Sequence, residues 1–310
     1  MTVAVIGLGS IGGVVAGCLR GADRHDVVAC VRQPVDRLAV ERPEGTVEMA
    51  LSCLTDPEAA APVDWVLLAT KAYHTATAAP WLARLCAPAT RVAVLQNGID
   101  HAARVAPFIG GAGAVPIMVY FNGERLAPDH VRMRHVGGAT DMEAPDDAGG
   151  QAFTGLLEGT SLTLRLTADF KTQAWRKLLI NAVANPVTCL TLQRQEVLRR
   201  PDIHTLCLAV LDEAVTVARA DGAQLADDES AYTMAKLMKF GPGLGTSMYF
   251  DRLAGRPLEV EALTGAIVAA GRRLGIATPL NAALLTLLRA VSDGATQGSD
   301  PSPPSPEARS

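Results

Sequence analysis

The chain lacks the marks of several large protein classes. Its six cysteines (Cys18, Cys30, Cys53, Cys86, Cys189 and Cys207) form no CxxC pair, and its six histidines show no ligand spacing. A metal site is therefore not expected. Four of the cysteines lie in apolar or alanine-rich surroundings and read as small core residues of a reducing compartment. There is no basic run and the net charge is −4, which argues against nucleic acid or an anionic membrane as the main partner. No uncharged apolar stretch reaches the roughly 18 residues that a spanning helix needs. The chain opens on a strand-like run without a basic leader, so no secretory signal is expected and a cytoplasmic location is. What is present is apolar bulk. The chain has 310 residues, 49% of them hydrophobic and 19% charged, enough for a large core. By length it should form about two domains.

The run Thr2 to Ile6 is short, apolar and β-branched, as in a buried parallel strand. It leads directly into Gly7-Leu8-Gly9-Ser10-Ile11-Gly12 and then an alanine- and valine-rich helix to about Arg20. G-x-G-x-x-G between a strand and a helix predicts a dinucleotide site on a Rossmann-like α/β domain. Gly7 allows the turn, Gly9 lets a pyrophosphate approach the backbone, and Gly12 lets helix and strand pack closely. The amides at the helix start then bind the phosphates. The next strand, Asp26 to Val31, ends in Arg32 rather than in an acidic residue. An arginine there suits a 2′-phosphate, so NADP(H) is the expected cofactor.

Further strands are expected at 46–52, 64–70 and 91–95. Lys71 follows the second of these and Gln96-Asn97-Gly98 the third. Ligands of open parallel sheets collect at the carboxyl ends of strands, so Lys71 and Asn97 should border the crevice above the glycine turn. Strands are also expected at Val115 to Phe121, His130 to Val136 and Ser161 to Leu166, with Pro145 to Gly150 a surface loop. After Thr167 helical periodicity takes over, in helices near 169–185, 201–221, 228–239, 258–274 and 279–291. The expected domains are 1–167 for the nucleotide and 168–294, all-helical, for substrate and catalysis. The proline- and serine-rich tail, 295–310, should be disordered.

The most informative stretch is Trp175-Arg176-Lys177-Leu178-Leu179-Ile180-Asn181-Ala182-Val183-Ala184-Asn185-Pro186. Lys177, Asn181 and Asn185 are spaced i, i+4, i+8 and drift only about 40° per step, so one helix face carries all three. Asparagine is a poor helix former, and such a stripe reads as built for a polar ligand. Pro186 should end or kink the helix and turn Asn185 outward.

These motifs, in this order, make the chain resemble the ketopantoate reductase (2-dehydropantoate 2-reductase) family. The resemblance rests on G-L-G-S-I-G at 7–12, T-K at 70–71, Q-N-G at 96–98, the 175–186 helix, S-M-Y-F-D at 247–251, Glu259 twelve residues after Ser247, Gly265 and I-A-T-P at 276–279. It spans about residues 2–290. It implies NADPH-dependent reduction of 2-dehydropantoate to (R)-pantoate, towards pantothenate and coenzyme A, in a cleft between the two domains. It implies Lys177 as the acid that protonates the carbonyl oxygen, with Glu259 near it and the cofactor. Asn181, Asn185 and Ser247 would hold the substrate. Asn97 would contact nicotinamide ribose and substrate, and Lys71 would lie beside the cofactor. Where many members carry an asparagine ten residues after Asn185, this chain has Gln195. That difference keeps open a reductase of another 2-oxo acid on the same scaffold. An idle NADP-binding sensor is the rival of another class, and retention of Lys177 with Glu259 argues against it. The partner is a small 2-oxo acid. A homodimer is compatible with the chain, whose sequence carries no mark of oligomeric state.

Overall fold

Thr2–Ile6 forms β1, in which Val3, Ala4 and Val5 are fully buried. Apolar β-branched runs of this kind suit a strand covered on both faces. The computed structural model describes residues 1–135 and 140–297, and two compact units divide the chain, Met1–Ala174 and Trp175–Ser310. In the first, β1 leads to α1 (Ser10–Gly21), β2 (Asp26–Cys30), β3 (Arg37–Arg42), β4 (Gly45–Ala50) and β5 (Ser52–Leu54). Then come β6 (Trp65–Leu68), α2 (Ala79–Leu85), β7 (Arg91–Val94), α3 (His101–Val105) and β8 (Gly113–Pro116). Six of these strands form a parallel sheet in the order β5-β2-β1-β6-β7-β8. Counted along the chain this is 3-2-1-4-5-6, the doubly wound dinucleotide-binding order, with its switch point between β1 and β6.

The rest of this unit adds β9 (Met118–Val119), β10 (Asn122–Ala127), β11 (His130–Arg134), β12 (Met142–Pro145), α4 (Ala148–Leu157) and β13 (Leu164–Thr167). A second sheet, β10-β11-β3-β4, shares one apolar cluster with α1 through Val14, Val15, Leu38, Val40 and Val131. A third has the order β13-β12-β9. The expected loop at Pro145 to Gly150 is instead the end of β12 and the start of α4. Asp147 caps that helix by accepting from the Gly150 amide at 2.9 Å, and Phe153 and Leu156 are fully buried. Capping and packing outweigh the glycines there. β3 and β12 are additional to the expected strands, and β10 lies between the two expected from Val115 and from His130. The expected strand from His130 ends within the described residues at Arg134, and Val136 lies outside them.

The second unit is helical: α5 (Phe170–Thr191), α6 (Pro201–Ala220), α7 (Glu229–Met238), α8 (Ser247–Leu253), α9 (Thr264–Leu274) and α10 (Pro279–Gln297). Two expectations are corrected. α5 does not end at Pro186 but continues through it to Thr191, with Asn185 buried rather than turned outward. Thr188 and Thr191 donate their hydroxyls to the carbonyls of Ala184 and Val187, both at 2.7 Å, and give that last stretch side-chain support. The helix expected from 258 begins at Thr264, so Glu259 sits in the connection before it. The expected tail lies outside the described residues from 298 onward. Among the described residues no helix is long and apolar enough to cross a membrane, and no group of three metal-ligating side chains occurs. Cys18, Cys30, Cys189 and Cys207 are buried and all six cysteines are free.

Candidate active site

The first unit brings the nucleotide-type residues to one end of the main sheet. Gly7 has φ +94°, a conformation that side-chain-bearing residues rarely adopt, and a β-carbon on it would stand 2.8 Å from Thr70 Cγ2. A β-carbon on Gly12 would clash with the Gly7 carbonyl oxygen. Gly9 faces the opposite condition: no atom lies within 4 Å of where its β-carbon would be. Leu8 is buried beneath the turn, while Ser10 and Ile11 are half-buried at its rim. α1 begins without a capping side chain and with no acidic residue in its first turn. Its first amides and the positive end of its dipole are thus left for an anion. Open space over Gly9 in front of these amides fits a pyrophosphate. From the other side β10 closes in, where Gly123 packs so tightly on Ser10 that any side chain would collide with its backbone.

Lys71 and Asn97 stand at the carboxyl ends of β6 and β7, beside the switch point. Their two connections are tied by Gln96, which the Q-N-G motif contains but to which the sequence assigns no role. Its side chain, 3% exposed, donates to Thr70 Oγ1 (3.0 Å) and accepts from Thr75 Oγ1 (3.1 Å) and Arg104 (3.2 Å). Arg104 also donates to the Asn97 carbonyl (2.9 Å), and His101 to the Gln96 carbonyl (2.9 Å). The only sequence trace of this brace is the i, i+4 pair Asp100–Arg104. Arg32 is exposed after β2, and its charge reaches His74.

The second unit gathers the catalytic-type residues. Two side chains fix how α5 is rotated. Trp175, fully buried, donates its indole N–H to Asp221 (3.0 Å). Arg176 grips buried Glu229 with Nε at 3.0 Å and a terminal nitrogen at 3.1 Å. Lys177 comes next. It keeps some surface, yet its ammonium is deep in protein. Burial pulls its pKa down to about 8, and the charge of Glu259, 6% exposed, partly opposes that fall. The two groups are therefore within electrostatic reach of each other. Asn181 is half-buried one turn on, and Asn185 another turn beyond at 3% exposure. The Asn185 side-chain oxygen is buried without a hydrogen-bond partner. Such an orphan costs about 1–3 kcal/mol unless a ligand satisfies it.

Ser247 opens α8 and is exposed. Its neighbour Thr246 caps that helix by accepting from the Tyr249 amide at 3.2 Å, and its hydroxyl lies 2.8 Å from that of Thr188, one turn past Asn185. This pair of threonines joins Ser247 to the Asn185 end of the stripe. Gln195, just after α5, is tied to the loop before Ser247 by its backbone N–H, which donates to the Leu244 carbonyl at 2.9 Å, and its side-chain oxygen is also buried without a partner. Within this unit Lys177 is thus brought to Glu259, and Asn185 to Ser247, with Asn181 between them on one helix face.

Two family models match the chain, "Ketopantoate reductase PanE/ApbA" over residues 3–147 and "Ketopantoate reductase PanE/ApbA C terminal" over 169–292. A 2-dehydropantoate 2-reductase of Caulobacter vibrioides is 40% identical over 294 residues, 94% of this chain and 99% of that protein. A solved PanE/ApbA family ketopantoate reductase from Ralstonia eutropha superposes with TM-score 0.86 at 26% identity, covering 96% of this chain and 100% of that one. A D-mandelate dehydrogenase solved with NADH and anilino(oxo)acetate reaches TM-score 0.84 at 21% identity, over 96% and 100% of the two chains, a likeness in fold alone. With both units matched and a near-full-length relative at 40% identity, the chain belongs to the ketopantoate reductase family of oxidoreductases.

Proposed function

We propose that the protein reduces 2-dehydropantoate to (R)-pantoate, with NADPH as hydride donor and Lys177 as proton donor. The observation that carries this reading is the depressed pKa of Lys177, about 8, beside buried Glu259. An ordinary lysine is too weak an acid to give up a proton readily near neutrality. One at about 8 remains mostly protonated at pH 7 and is a far better donor. When bound, the nicotinamide supplies two electrons and a hydrogen nucleus as hydride to the carbonyl carbon. The Lys177 ammonium stabilises charge developing on the carbonyl oxygen, gives it a proton, and is reprotonated from solvent. The product is a 2-hydroxy acid. Asn181, Asn185 and Ser247 anchor its oxygens without adding charge. Gly7, Gly9, Gly12 and the first turn of α1 hold the pyrophosphate, Arg32 the 2′-phosphate, and Lys71 and Asn97 border the ribose and nicotinamide. The wider role, a step towards pantothenate and coenzyme A, rests on the named relatives.

A second reading is favoured by Gln195, whose backbone is tied to the loop leading to Ser247 and whose side-chain oxygen is buried without a partner. It keeps the same chemistry for a different 2-oxo acid. The test is the initial rate of NADPH oxidation with 2-dehydropantoate and a panel of 2-oxo acids, with Lys177→Ala alongside. The expected result is a preference for 2-dehydropantoate, a loss of about 10²–10⁴ in kcat for the variant, and a rate that falls as pH rises through about 8. Full turnover by Lys177→Ala would falsify the role of the lysine. Preference for another acid would select the second reading.

A further inference from the structure

Arg32 lies two residues past β2, at the place where this fold meets the 2′ position of the adenosine ribose. A second group able to carry positive charge stands within reach of it. His74 closes the single helical turn Ala72–His74 after β6, and β2 and β6 flank β1 on opposite sides. Both side chains are exposed at the carboxyl end of the sheet. The His74 ring is steadied edge-on by Tyr73, with centroids 4.5 Å apart. Its backbone amide donates to the Lys71 carbonyl at 2.9 Å, and Thr75 locks the turn by donating to the Ala72 carbonyl (2.8 Å) and to Gln96 (3.1 Å).

The charge that acts on this ring is that of Arg32; Lys71 begins its turn, and Arg104, which shares the Gln96 side chain with Thr75, is paired with Asp100. The charge of Arg32, after partial burial, holds the imidazole below its usual value. A dianionic phosphate placed here reverses that balance, because an opposite charge favours the protonated ring.

We propose that His74 is a further ligand of the cofactor's 2′-phosphate, and that its ring takes up a proton from solvent as the phosphate binds. This rests on the NADP reading above. Linkage sets the sign: a ring that binds more protons in the complex makes phosphate binding tighter as pH falls. The 2′-phosphate has its own second pKa of about 6. Cations strip that proton on binding, which is release, the opposite sign. Net uptake therefore belongs to the imidazole.

The test is calorimetric titration of the full chain and of His74→Gln with 2′,5′-ADP, 5′-AMP and NAD⁺, each near pH 7 in two buffers of different ionisation heat. The expected result is net proton uptake with 2′,5′-ADP in the parent protein and only the small release from the phosphate in the variant. The variant should bind 2′,5′-ADP about five-fold more weakly near pH 6 and equally near pH 8.5, as for one partly exposed charge-assisted contact of roughly 1 kcal/mol. NAD⁺ should bind both alike. Tight 2′,5′-ADP binding with the same proton balance in both proteins overturns the role of His74 and leaves the NADP reading standing. Equal affinity for 2′,5′-ADP and 5′-AMP in the parent protein overturns both.

Discussion

Lys177 is held between two opposed influences, burial that favours its neutral form and Glu259 that favours its charged form. Glu259→Gln removes only the second. The pH at which activity is lost on the alkaline side should then move below about 8, read from kcat/KM against pH, and an unmoved midpoint would disconnect the two residues. The same lysine bears on stability. Its value falls from 10.5 unfolded to about 8 folded, so between these pH values the unfolded chain holds more protons and stability rises with pH. Lys177→Met abolishes that rise. At neutral pH it should stabilise the fold by on the order of 1–3 kcal/mol while abolishing turnover, measured by denaturant titration. The stripe that carries Lys177 was legible because helix periodicity is local. Gln96 was not, because its partners Thr70, Thr75 and Arg104 meet only after folding. Arg32 could be read from its position at a strand end, but its neighbour His74 belongs to another strand's turn.

At the level of elements, β1, the glycine turn and α1 were readable as a unit, since a strand, a tight turn and a helix start are all encoded within twenty residues. α4 was hidden by its glycines, and its cause is tertiary: Phe153 sits edge-on to Trp65 at 5.6 Å, nearly ninety residues away in the chain. α8 was hidden by its length of seven residues. α5 ran past its proline because Pro186 has buried neighbours on both sides to hold the continuation. The junction of turn and helix offers a sharp test. Gly12→Ala forces a methyl into the Gly7 carbonyl and pushes α1 away from the turn. Overpacking of this kind costs about 1–3 kcal/mol, and NADP⁺ affinity should drop at least about ten-fold in a fluorescence titration. Unchanged affinity would mean that the turn does not hold the nucleotide.

At the scale of the whole molecule, length and composition indicated two domains, and the chain does form two compact units. What composition could not supply was strand order, which depends on pairings such as Val3 with Trp65. Binding to the folded state alone shifts its stability by mass action. NADP⁺ at about a hundred times its dissociation constant should stabilise the fold by about 2.7 kcal/mol. A thermal scan that shows no shift at saturating NADP⁺ counts against the cofactor assignment. Every residue proposed for the nucleotide pyrophosphate and 2′-phosphate precedes Ala174, and the proposed proton donor, Lys177, follows it with Asn181, Asn185 and Ser247. On these proposed roles, drift at Arg32 or His74 changes which redox carrier is drawn on, and drift at Gln195 which acid is consumed, along separate lines of descent. Such a gene can explore metabolism one axis at a time.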